Sequence, residues 1–125
     1  MFVKKLLVVF INYQQNHQLV ITLLKENCGY LLKVEYKLGH DKYKETNHLI
    51  DDKFVYRLFN NLKDIMDNTN NFSKNDVIAN MEIYYGKDNC LKQTVTKKLL
   101  EQSDNLKNLF KWIFKYVDES ISLSF

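Results

Sequence analysis

The sequence predicts an α+β fold: an antiparallel sheet built from hairpins, with two amphipathic helices at about 51–67 and 103–118 packed on one face. Three observations lead there. Two stretches repeat apolar residues at three- and four-residue spacing, several shorter ones alternate with a period of two, and too few helical stretches separate the strands to provide the crossovers of a parallel sheet. A chain of 125 residues has the length of one ordinary domain and can bury a core without metals or disulfides. Residues 1–125 therefore read as a single domain.

Leu6 to Tyr13 is rich in β-branched and aromatic residues and apolar on both alternating faces, which suits a central strand. Gln14 to His17 breaks the run, and Leu19 to Leu24 is again apolar on both faces. After a turn at Glu26–Gly29 the alternation is clean, with Tyr30, Leu32, Val34 and Tyr36 on one face and Leu31, Lys33, Glu35 and Lys37 on the other. Leu38 to Asp41 reads as a turn, and the polar stretch from Lys42 to Ile50 as an edge strand.

The helix at 51–67 places Phe54, Leu58, Leu62 and Ile65 on one line, flanked by Val55, Phe59 and Met66, with Lys53 and Arg57 on the wet side. Asp51 or Asp52 supplies its cap, and the Asn-rich run after Asp67 ends it. Asn68 to Asp76 is a polar loop into which Phe72 is expected to tuck. Val77 to Tyr85 alternates and stops at Gly86–Asn89, and Cys90 to Lys98 closes a second hairpin. Ser103 is an N-cap residue type with Asp104 in the favourable first turn, followed by the stripe Leu106, Leu109, Phe110, Ile113, Phe114 and Val117. Residues 121–125 are a short strand or a tail.

Composition narrows the function classes. The net charge of +3 is too small for a dedicated nucleic-acid binder, and it lies in the first 50 residues, which carry seven basic against four acidic side chains. The apolar run at Leu6 to Ile11 is short for a leader and no small-residue cleavage site follows it; no run approaches a membrane span. A cytoplasmic protein without membrane contact is expected, with Cys28 and Cys90 reduced and no cofactor. The two cysteines match no metal spacing.

No Gly-rich phosphate loop, nucleophile elbow, metalloprotease motif or helical carboxylate pair occurs, so catalytic and metal-ligating residues are not expected. His17, His40 and His48 sit in polar turn or edge contexts and read as solvated, and Cys28 as a turn thiol. The expected activity is therefore binding to another protein, as an immunity protein or an inhibitor does. Candidate contacts are Trp112 and Tyr116, which lie one turn apart outside or beside the apolar stripe, with Lys111 and Lys115 close by; Lys107, Lys111 and Lys115 form a basic ridge. The alternative is single-stranded nucleic-acid binding through Lys33, Tyr36, Lys37, Lys42 and Tyr43, where rings stack bases and ammonium groups follow the backbone. Glu35, Asp41 and Glu45 interrupt that patch, and its tyrosines alternate toward the face expected to be buried. Nothing in the sequence sets an oligomeric state.

Overall fold

A computed structural model describes residues 3–12, 17–26, 29–50, 53, 55, 57 and 76–117 of the protein. Six strands form one antiparallel sheet: β1 (Val3–Asn12), β2 (His17–Glu26), β3 (Gly29–Leu38), β4 (Asp41–Ile50), β5 (Val77–Tyr85) and β6 (Asn89–Thr96). Their spatial order is β4-β3-β2-β1-β5-β6. The first four strands meander outward from β1. After the helical residues Lys53, Val55 and Arg57, the chain returns to pair β5 on the free side of β1. The strand with apolar residues on both faces is thus central, and polar β4 is an edge, as expected.

The registers align a buried row across the sheet, Met81–Val8–Ile21–Val34, and parallel rows Ile83–Leu6–Leu23–Leu32 and Ala79–Phe10–Leu19–Tyr36. Each of these side chains is at most 1% exposed. Turns follow from local chemistry. Gly39 and Gly86, at φ 64° and 61°, supply the left-handed residue that lets the β3–β4 and β5–β6 links reverse within a few residues.

Three register shifts interrupt the pattern, one at Val3–Lys5 opposite β5 and two others that move side chains of interest. Between Val77 and Ala79 the β5–β6 register slips by one, so Ile78 is an extra residue and is buried next to Ala79. A similar slip opposite Tyr36 and Lys37 makes Tyr43 the extra residue of β4.

Two further helices, α1 (Lys97–Gln102) and α2 (Asp104–Phe114), follow β6. Ser103 caps α2 as expected, its Oγ accepting from the Leu106 amide at 3.2 Å, with Asp104 in the first turn. The last helix is shorter than 103–118. At its end, amides of Lys115, Tyr116 and Val117 donate to carbonyls three residues back, a tighter turn that closes the helix. Lys97 and Lys98 correct the expected strand to Lys98, since they are helical. Thr96 ends β6 and caps α1, its Oγ1 accepting from the Leu99 amide at 3.1 Å, and Leu99 is buried.

The helices lie on the face that holds Phe10, whose ring meets Phe110 edge-on at 4.8 Å and Phe114 at 5.2 Å. Val55, wholly buried, joins the same core, while Lys53 and Arg57 are exposed, matching their assignment to the wet side of the first helix. The cap at Asp51 or Asp52, the rest of that helix's stripe, Phe72, Cys28 and residues 121–125 lie outside the described residues. No described helix is long and apolar enough to cross a membrane.

Candidate protein interface

The structure separates the residues grouped on the last helix. Trp112 is only 6% exposed, and Tyr116 packs partly buried against the core, with their rings edge-on at 5.3 Å. Tyr116 also meets the His48 ring at 5.0 Å, which ties the end of α2 to strand β4. Trp112 is therefore not a surface aromatic: the six-stranded sheet is wider than one helix, so the buried arc of α2 extends past its apolar stripe toward β4. Lys107, Lys111 and Lys115 point away from that arc; all three are exposed and none pairs with a described residue.

The Lys/Tyr patch on the first hairpins divides as well. Tyr36 is 1% exposed and lies on the helix-covered face with Lys44, whose Nζ is 5.2 Å from its ring centre. Lys33, Lys37 and Lys42 lie on the other face. Rings and ammonium groups thus do not form one stacking platform there. Tyr43 belongs to β4, and its side chain lies outside the described set.

Lys33 and Lys42 are engaged by carboxylates. Lys42 Nζ donates to Glu45 Oε1 at 2.8 Å, Asn47 Nδ2 to Glu45 Oε2 at 3.1 Å, and Lys33 Nζ lies 3.5 Å from Glu45 and 3.9 Å from Glu35. The bond from Lys42, followed by that from Asn47, holds the Glu45 carboxyl down at about 2. The same bond raises the Lys42 ammonium above its ordinary value.

This second face of the sheet is the feature that the sequence pattern did not single out. The described helices lie on the opposite side, and none of Leu7, Val9, Ile11, Val20, Leu24, Leu31 and Leu49 is buried, with Leu24 38% and Leu49 72% exposed. Cross-strand pairing gathers them: Val9 faces Val20, and Leu24, Leu31 and Leu49 form one row. Five of the seven lie on β1 and β2, in the middle, and Leu31 and Leu49 carry their row outward to β4. The Lys33, Glu35, Lys42 and Glu45 cluster borders them on one side.

Glu82, Tyr84 and Lys92 border them on the other. Tyr84 donates to Glu82 Oε2 at 2.6 Å, Lys92 Nζ is 3.8 Å from Glu82, and Lys5 Nζ lies 5.2 Å from the Tyr84 ring centre. The bond to Glu82, with burial second, pushes the Tyr84 phenol up to about 12. An apolar centre inside a polar rim is the anatomy of a protein interface.

The histidines differ in setting. His40 is exposed, but His48 and His17 are half-buried within strands, and His48 Nε2 lies 3.3 Å from Thr46 Oγ1. The expectation of solvated histidines holds for His40 alone; His17 is flanked by β1 and β3, and His48 packs on the Tyr116 ring. Cys90 carries a free, exposed thiol beside Tyr84. Among the described residues no group of three His, Cys, Asp or Glu side chains is placed to hold a metal. No protein-family model, curated protein or solved structure matches the chain.

Proposed function

We propose that this is a small non-enzymatic cytoplasmic protein that acts by binding another protein and occluding it, as an immunity protein or an inhibitor of a toxin, host or phage system does. The contact surface in this reading is the face of the sheet opposite the described helices, called the open face below. One observation carries it: seven apolar side chains on four adjacent strands, none of them buried, with ion-paired groups on both flanks. Water-exposed oily surface of that extent is unfavourable unless a partner covers it.

The test is affinity capture from the native cell with the wild-type chain, Val20→Lys, and Lys111→Glu/Lys115→Glu. The expected result is a protein partner lost with Val20→Lys and retained with the α2 variant, at an absorbance ratio that excludes nucleic acid. Loss with the α2 variant alone transfers the contact to the helix. A nucleic-acid ratio with steep salt dependence rejects the reading.

A further inference from the structure

We propose that the occupant of the open face is a second copy of this chain, packed face to face across a two-fold axis that runs parallel to the strands between β1 and β2. The inference rests on the preceding reading of that face as a protein interface, and it names the partner the face takes when the chain is alone.

Extent comes first. Six strands ~4.8 Å apart with paired lengths of about 26 Å present on the order of 700 Å², close to the ~800 Å² that each partner gives to a standard-size interface. Two sheets stacked ~10 Å apart at a shallow angle interdigitate such side chains as the two layers of a β-sandwich do.

The pattern of residues then selects the axis. A two-fold parallel to the strands, at the middle of the order β4-β3-β2-β1-β5-β6, lays β1 over β2, β5 over β3 and β6 over β4 of the second copy while keeping the cross-strand rows aligned. Val9 then faces Val20 at the centre, and Tyr84 faces Leu31. Glu82 faces Lys33, because the pairs Leu7–Glu82, Leu7–Thr22 and Thr22–Lys33 place both in one row. Symmetry makes each contact twice. The other in-plane two-fold, perpendicular to the strands, reverses the rows and sets Lys5, Lys37 and Lys42 against Ile11, Leu31 and Leu49, whereas the parallel axis sets one ammonium, that of Lys5, against Leu24. Apolar fit therefore favours the parallel axis.

The experiment measures mass in solution by light scattering for the purified chain, Val20→Lys, Glu82→Lys, Lys33→Glu, and the double charge exchange Glu82→Lys/Lys33→Glu. Circular dichroism and thermal melting confirm that each variant is folded. The wild type is expected at twice the 15.0 kDa of one chain, and Val20→Lys at the single mass. Each single reversal should weaken association about tenfold, and the double exchange should bind more tightly than either single reversal, since it re-forms the pair between copies in opposite sense, while the like charges it creates within each chain beside Glu35, Glu45 and Lys92 keep it below the wild type.

A doubled mass that survives Val20→Lys, or a double exchange no tighter than the single reversals, overturns the proposal. A single-chain mass at every concentration also overturns it. In that case, loss of partner capture by Val20→Lys leaves the interface reading standing, and unchanged capture removes both.

Discussion

The two faces of the sheet take alternate residues of the same strands. Leu6, Val8 and Phe10 of β1 are at most 1% exposed, whereas Leu7, Val9 and Ile11 between them keep part of their surface in solvent. By composition the two sets are equally oily. The difference comes from what lies over them: α2 and Val55 on one side, and no described helix on the other. Strand alternation decides which residues share a face, and only the tertiary layer decides whether that face is dry.

The largest effect that separates the faces should come from Phe10→Ala. It empties a site between Phe110 and Phe114, and is expected to lower unfolding stability by about 3–5 kcal/mol in a urea titration. Equal loss from a truncation on the other face would end the distinction between them. Next is the cap that holds the cover in place. Ser103→Ala removes the acceptor for the Leu106 amide and should cost about 1 kcal/mol, read in the same titration.

Leu49→Ser, at 72% exposure, should change the stability of one folded chain by no more than about 0.5 kcal/mol. A larger change would mean that the open face is already covered within a single molecule.

The smallest effect is electrostatic. The Glu45 carboxyl is depressed, so its contribution is complete above its ordinary 4.5 and fades as pH falls toward about 2. Carboxyl chemical shifts should therefore show Glu45 titrating well below 4.5. Lys42→Ala should return its midpoint toward 4.5, and an unmoved midpoint would remove Lys42 as the cause.

Much of this arrangement was legible in the residues. The Tyr30–Tyr36 alternation, the edge character of β4, the centrality of β1 and the Ser103 cap all follow from local pattern, because each depends on a side chain's own spacing or hydrogen-bonding reach. Trp112 was legible in part: its place just outside the stripe fits either the edge of the core or a surface contact, and only the width of the sheet beneath α2 selects the first. Helix α1 was missed because six residues are too few to display a period, and the one cue, Thr96 ahead of Leu99, also fits the end of a strand. Nor did the open face stand out. Apolar residues on both sides of β1 normally indicate cover on both sides, and a lone sequence records the oiliness without recording the cover.

The outermost strand, β4, bears on how molecules behave when crowded. Its extra residue at Tyr43 kinks the border of the sheet, and Lys42 and Lys44 stand on either side of that kink. A straight, uncharged border of ten residues would template end-to-end growth into filaments; bent and carrying charges of both signs, it resists that route. Growth along the border is thereby discouraged, and the proposed assembly by way of the broad surface would close after one step.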